Sequence, residues 1–498
     1  MSNEMNDDSG TELPWWQPVL FAALAGGMGW GIRGQYGHET GAMIPGLLVS
    51  LTLAFLLCPK ATSRQVVRAI AWGTVAMGFG GSMTYGQTVG LTHDAPLIGN
   101  WGALSWGMLG LAIKGGIWIG FAGVFLGMGL SGIRYRASEL LLLMIGLVGA
   151  YFLGVALLNG PFDPANKVLP PLYFSDHWRW EPDGALEPRR ECWGGLLLAL
   201  MVTIAYAGWW CKDRLAPRLG LWGMLGGALG FPLGQSLSAF RHWNPELFQE
   251  RVWSGLAAHI NWWNMMETTF GAVMGAMLGL GLWLNRKRIM PAEYRDADCL
   301  PVAAEWILLA VHLALFVVVA FLARPVMTTL RDLGLGKIIR ILALYNLGLV
   351  MGIIPVVVVS RGRWSPYLVV LPITLLPIAA KTLRQLAYTE PAIGPAVGWF
   401  IYLIVPLSLA TVAAIWFARR AAAGQTGPDF VRPTLLLATW IYFSLNFAFF
   451  RFPWPWADWT GRTPNGIIFT ICAIALTALC LSGRRHPPDA LPEQADSP

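Results

Sequence analysis

The sequence predicts an all-α polytopic membrane protein of about fourteen transmembrane helices, with glycine-rich helices prone to discontinuity in its first half. Composition comes first: 55% of the residues are hydrophobic, only 13% are charged, and the mean hydropathy is +0.52. A soluble domain carries roughly 25% charged residues. Second, continuous apolar runs of about 18 to 25 residues recur along the chain, as helices need to cross a bilayer. Third, those runs alternate with short loops rich in Arg, Lys, Pro and Trp. Alternating ten-residue strands, the mark of a membrane barrel, do not occur.

Taken in order, the predicted spans are 16–35, 41–58, 69–90, 102–131, 139–158, 193–211, 219–237, 260–284, 302–323, 338–360, 366–381, 393–418, 433–450 and 466–482. The first follows an acidic stretch, 1–14, without the basic region of a secretory signal, and Trp15-Trp16 stand as its interfacial anchors. The fourth is long enough to tilt, kink at Gly115-Gly116, or split into a re-entrant piece and a span. Loop 159–192, rich in Pro, Trp and acids, is either a cap over the outer face or a set of interfacial aromatics. A linker, 285–301, separates this Gly-rich bundle (15–284) from an apolar, aromatic bundle (302–482) that offers a supporting or oligomerising surface. The tail 483–498 reads as disordered.

Charge sets the orientation. Lys60/Arg64/Arg68, Arg134/Arg136, Lys212/Arg214/Arg218, Arg286-Lys287-Arg288, Arg361/Arg363, Arg419-Arg420 and Arg484-Arg485 all fall on one side of a fourteen-span count. Basic loops stay cytoplasmic, so both termini are read as cytoplasmic, in a bacterial cytoplasmic membrane. Arg324/Arg331/Lys337 and Lys381/Arg384 fall on the opposite side and count against this topology in the second half. The net charge of +7 is thus a topology signal spread over loop ends rather than a nucleic-acid footprint. The six cysteines form no metal-binding or CxxC spacing, and no cofactor is implied.

Three stretches share a glycine-rich run closing on Gly-Gln: GGMGWGIRGQ (26–35), MGFGGSMTYGQ (77–87) and GGALGFPLGQ (226–235). Each is read as the end of a helix, followed by a returning helix that opens on a charge: Glu39, Lys114 or Glu267. The connections span 4, 27 and 32 positions. Either a parallel repeat of helix pairs around a shared centre or simple compositional likeness accounts for this. Gly271, Gly275 and Gly279 add a four-residue ridge for close helix approach.

Ionisable groups within apolar segments require a partner, water or a function. Arg33, Glu39, Lys114 and Glu267 sum to zero charge, which predicts a single buried network serving either a ligand or the helix register. Asn261, Asn264 and Glu267 follow at three-residue steps beside Trp262-Trp263, a polar stripe with aromatic surface suited to a polyhydroxylated ligand. The bland alternative is a capping Asn with interfacial Trp. Gln35, Gln87 and Gln235 are expected to converge on the same site. His38, beside Glu39, adds a titratable relay, so that Glu39, Glu267 and His38 are the candidates for proton or cation coupling. His93-Asp94 forms a second such pair. Asn346, Asn446 and Arg451 read as packing or interfacial.

No Walker A, GxSxG, HExxH or haem-attachment motif occurs, which disfavours a nucleotide-driven pump or a soluble-type hydrolase. The expectation is a secondary transporter of a small polar solute, with a sugar suggested by the Trp, Asn and Gln content, whose partners are the bilayer, the solute and a coupling proton or cation. The alternative is an integral membrane enzyme, a glycosyl- or acyltransferase acting on a lipid-linked or outer-face substrate. A third is a scaffold whose polar network is purely structural.

Overall fold

The computed structural model describes residues 13–174, 179–181, 187–292, 299–334, 346–451 and 458–482. Lys337, Arg484-Arg485, the start of the 338–360 segment, most of the acidic N-terminal stretch and the tail from 483 lie outside them. Every described element is helical or a turn: α1 (Trp16–Arg33), α2 (Glu39–Leu57), α3 (Ser63–Gly80), α4 (Gly86–His93), α5 (Trp101–Leu130), α6 (Ala137–Leu158), α7 (Trp193–Trp210), α8 (Ala216–Trp243), α9 (Arg251–Leu256), α10 (Trp262–Leu284), α11 (Val302–Asp332), α12 (346–361), α13 (Ser365–Thr389), α14 (Pro395–Ala422), α15 (Gly427–Phe449) and α16 (Thr463–Ser482). Among the described residues, eight of these (α2, α5, α6, α7, α10, α13, α14 and α16) are long and apolar enough to cross a membrane.

Short polar side chains start several of the helices. Thr62, Asn100 and Asn261 accept from the backbone N–H groups of Gln65, Ala103 and Asn264 at 3.3, 3.0 and 2.8 Å. Each replaces one bond that a first helical turn cannot make for itself.

Six helices close a ring. α1 packs antiparallel on α2, α2 on α3, α3 on α5, α5 on α8, α8 on α10, and α10 returns to α1. Glycine makes these contacts close. A Cβ added at Gly271 would overlap the Gly26 carbonyl, one at Gly275 the Ala22 carbonyl, and one at Gly279 the Pro18 carbonyl. The predicted ridge therefore faces α1. Gly115 and Gly227 stand in the same relation between α5 and α8. With no hydrophobic effect available between helices in lipid, such backbone-to-backbone approach supplies dispersion contact instead.

That packing corrects two expectations. α5 is one continuous thirty-residue helix, because Gly115 and Gly116 are used to admit α8 rather than to kink. The break falls instead in the predicted span 69–90: α3 stops at Gly80, residues 81–85 are irregular, and α4 resumes at Gly86. Gly81 lies against the Trp118 indole, where any Cβ would collide with the ring.

Aromatic rings fill the ring's interior. Trp30 meets Trp118 edge-on at 4.9 Å and Phe270 at 4.3 Å; Phe231 stacks on Phe270 at 4.7 Å, and Tyr85 meets Phe231 at 5.2 Å. The lumen at this level is a packed core.

The two ends of the bundle differ in charge. Thr62 bridges Thr426, Gln65 donates to the Met290 carbonyl at 2.7 Å, Tyr135 donates to Asp213 at 2.7 Å, and Arg68 donates to the Gly362 carbonyl at 2.9 Å. These contacts gather the Lys60, Arg134, Lys212, Arg286 and Arg361 clusters at one end. Arg33, Glu39, α4 and the start of α10 lie at the other, where Tyr36 meets Thr382 at 3.2 Å. Lys381 and Arg384 accompany Thr382 there, apart from the other basic clusters.

Candidate functional site

The break between α3 and α4 is the centre of the polar end. A helix that stops inside a bundle leaves carbonyl groups without intrahelical partners, and only buried donors can satisfy them. Lys114, on the ring face of α5, does so: its Nζ donates to the Thr84 carbonyl at 2.8 Å, to Thr88 Oγ1 at 2.7 Å and to Glu191 Oε1 at 2.6 Å. The second oxygen of Glu191 accepts from the Phe174 N–H at 2.8 Å. Lys114 and Glu191 are each 1% exposed. The pair ties loop 159–192 to the broken helix. Its described part folds onto the start of α5, with Trp106 donating to the Tyr173 carbonyl at 2.8 Å.

On the other side of the break stands Arg33, the last residue of α1. Its Nη2 donates to the Tyr85 hydroxyl and, at 3.3 Å, to Glu267 Oε1; Nη1 reaches the Gly37 carbonyl at 3.4 Å. The guanidinium lies over three rings, 5.2 Å from Trp30, 5.2 Å from Trp118 and 5.7 Å from Tyr85. Such contacts hold a cation by the negative face of each ring. Arg33 and Glu267 are 2% and 1% exposed, yet Arg33 Nε has no hydrogen-bond partner. Thr84 Oγ1, in the break itself, is also buried without a hydrogen-bond partner, while Ser82 is turned to the Glu39 carboxyl.

The predicted stripe on α10 divides its work. Asn261 caps the helix, the bland role. Asn264 donates to the Gly31 carbonyl at 2.6 Å and to Glu267 Oε2 at 3.4 Å. Trp263 donates from Nε1 to Glu267 Oε1 at 3.2 Å and stacks on Tyr85 at 6.1 Å with the rings 28° apart. Trp263 is 39% exposed, so one indole touches both the buried carboxylate and the surroundings. Gly34 gives Glu267 its room, since a Cβ there would overlap Oε2.

The four predicted charges therefore do not form one isolated network. They are divided into Arg33–Glu267 and Lys114–Glu191, joined through the residues of the break. Glu39, half-buried at the first turn of α2, lies beside Ser82 and within electrostatic reach of Arg33 and Cys192. The physical reason for the division is reach: Lys114 projects to the α4 side of the break, where loop 159–192 delivers a carboxylate.

Convergence of the glutamines is also corrected. Gln235, in the middle of α8 rather than at a helix end, donates to Thr92 Oγ1 at 2.7 Å; Gln87, at the start of α4, donates to the Glu187 carbonyl at 3.2 Å. Both hold α4, and the side-chain oxygens of both are buried without a partner. Gln35 lies half-buried in the turn after α1. Only the first Gly-Gln terminates a helix.

His38 sits at the exposed turn before α2, edge-on to Tyr85 at 5.0 Å. Desolvation of the imidazole, then the Arg33 guanidinium and the Lys381 ammonium, push it down to about 4. At pH 7 it is neutral. His93 lies 3.7 Å from Asp94, and its ring packs against His242 at 4.4 Å. Asn446 donates to the Ile32 carbonyl at 3.4 Å and so joins the second half to the end of α1.

The sequence alone does not single out Glu191, Tyr85 or Arg462. Glu191 and Arg462 sat in segments taken as loop, and Tyr85 was hidden in a predicted span; Arg462 lies within electrostatic reach of Glu267. Glu305 was missed too. It accepts from the Trp364 and Ser365 N–H groups at 2.7 Å each, at the basic end of the bundle. Compared with described protein families, curated proteins and solved structures, the chain matches none.

Proposed function

We propose that this protein is a secondary transporter of a small polar solute, and that the solute binds at the α3–α4 break against Arg33, Glu267, Asn264 and Trp263. The observation that carries the reading is the incomplete bonding of a buried charge: Arg33 is 2% exposed with Nε unpaired, and Thr84 Oγ1 in the adjoining break is buried without a partner as well. Buried polar groups are costly without partners, and a hydroxylated ligand supplies them. The exposed edge of Trp263 offers a stacking surface at the way in, which favours a sugar or polyol.

In this reading Glu39 and Glu267 carry the coupling proton or cation, and the neutral His38 stands aside. Lys114 and Glu191 hold the broken segment, with Gln87 and Gln235 fixing α4; the unwound carbonyls play the part that broken helices play at mid-membrane. About fourteen spans, with the basic end and both termini cytoplasmic, fit the gathering of the Arg and Lys clusters at one end of the bundle. The aromatic plug below the site closes one path, and rocking of the ring against α11–α16 opens the other.

The test is uptake of radiolabelled monosaccharides and polyols by proteoliposomes. Saturable uptake that is lost in Glu267→Gln and Glu39→Gln, with both variants folded, is expected. Normal uptake in both variants overturns the site. Turnover of a lipid-linked donor without solute flux overturns the transporter in favour of the membrane enzyme.

A further inference from the structure

A cavity lies away from the polar break. It is bounded by Phe79 of α3, Phe121 of α5, Leu147 and Tyr151 of α6, Ala199 of α7 and Gly348 of α12, and holds about 560 Å³ of empty space including its open mouth. Its wall joins the six-helix ring to the second half of the chain. We infer that this cavity is a lipid site that takes one hydrocarbon chain of a bilayer lipid, independently of the solute site.

Two observations point to the occupant, and two more describe how its space is made. The lining is apolar apart from the Tyr151 hydroxyl, which lies beside Cys192. Water in such a space would lack the two to four polar partners it needs. The cavity lies along Met144 to Tyr151 of α6, within a helix apolar enough to span the membrane. The opposite face of that helix exposes Leu142, Ile145, Phe152 and Leu153, so α6 itself runs through apolar surroundings. Gly348 withholds a side chain where the cavity needs room: a Cβ there meets nothing nearer than Val148, at 3.7 Å. Finally, α12 winds in wider, five-residue-spaced turns over Asn346–Ile353, the stretch that supplies Gly348 and Gly352. The same winding recurs at Tyr206–Trp210, Val369–Ile373, Gln385–Thr389 and Trp399–Ile404, so by itself it marks no site.

Affinity here does not come from the hydrophobic effect, because the chain leaves one apolar medium for another. It comes from dispersion contact with close walls in place of loose lipid, including the Phe79–Phe121 edge-to-face pair at 5.3 Å.

The experiment uses the full-length protein in nanodiscs of phosphatidylethanolamine and phosphatidylglycerol containing a phosphatidylcholine with a diazirine at mid-chain. After illumination, labelled peptides are mapped, and Gly348→Leu is compared with wild type. Labelling concentrated on Leu147–Tyr151 and Gly348–Gly352, falling several-fold in Gly348→Leu while labelling of the exposed Leu142 and Ile145 face stays constant, is expected. Equal labelling of both faces of α6, or pocket labelling unchanged in a Gly348→Leu protein of normal melting temperature, overturns the site. If Gly348→Leu does not fold, Ala199→Leu fills the same cavity from α7 and is read in the same way. Uptake need not change in either variant, so this test stands apart from that of the solute site.

Discussion

Two buried ion pairs flank one broken helix, and they are built differently. Lys114–Glu191 is tight and saturated: the ammonium donates at 2.6 to 2.8 Å to a carboxylate, a carbonyl and a hydroxyl, and the far carboxylate oxygen takes a backbone N–H. Arg33–Glu267 is looser. Its bonds to the carboxylate run from 3.2 to 3.4 Å, Arg33 Nε is unpaired, and a half-open indole touches the carboxylate. Both are almost fully buried, so burial alone does not distinguish structure from function. Saturation does. A closed set of hydrogen bonds has nothing left to offer a ligand, whereas an open set does.

The largest effect should follow breaking the tight pair. Glu191→Gln leaves Lys114 buried without its counter-charge and should cost about 3–5 kcal/mol of stability, read as a large drop in melting temperature in detergent. Adding Lys114→Met to Glu191→Gln should recover much of it. A double variant as unstable as the single one would mean that the pair does not act as a unit.

Breaking the loose pair should shift the balance from stability to function. Glu267→Gln leaves Arg33 its bond to Tyr85 and its three aromatic faces, so the loss of stability should be about 1–3 kcal/mol, while uptake falls by at least about tenfold. Gly34→Ala sharpens the point, because it touches no ligand directly. Its methyl displaces the Glu267 carboxylate, and uptake should fall several-fold with a melting change smaller than that of Glu191→Gln.

Trp263→Phe keeps the ring and removes one donor to Glu267. It should weaken solute affinity by about 1 kcal/mol, seen as a higher half-saturation concentration at unchanged maximal rate.

The smallest effect is predicted for His38. Its folded value of about 4 lies below the ordinary 6.5, so the folded state stays neutral where the unfolded chain takes up a proton. Acidification from pH 6.5 to 4 therefore favours unfolding, and this contribution to stability is restored as pH rises. His38→Gln should lessen the acid loss of melting temperature and leave the pH profile of uptake near neutrality unmoved. A shifted profile would return His38 to the coupling path.

The fold class was legible because membrane helices announce themselves by length and apolarity; eight of the described helices are long and apolar enough to cross a membrane, fewer than the fourteen spans predicted. Glycine ridges were legible on α10, where Gly271, Gly275 and Gly279 repeat every four residues. The location of the break was not. Gly115-Gly116 and Gly80-Gly81 look alike in sequence, and only the neighbour distinguishes them: α8 for the first, the Trp118 ring for the second. Arg33, Asn264 and Glu267 were found because a charge or amide in an apolar run is conspicuous. Glu191 was not, because it lies in a loop whose chain path sequence does not specify. For the same reason the partner of Lys114 was misassigned.

That the loose pair belongs to a ligand is tested most directly by melting temperature with added solute. The solute that wild-type protein transports should raise its melting temperature in a saturable way, and should raise that of Glu267→Gln little or not at all. A solute that stabilises Glu267→Gln as strongly as wild type would contradict it.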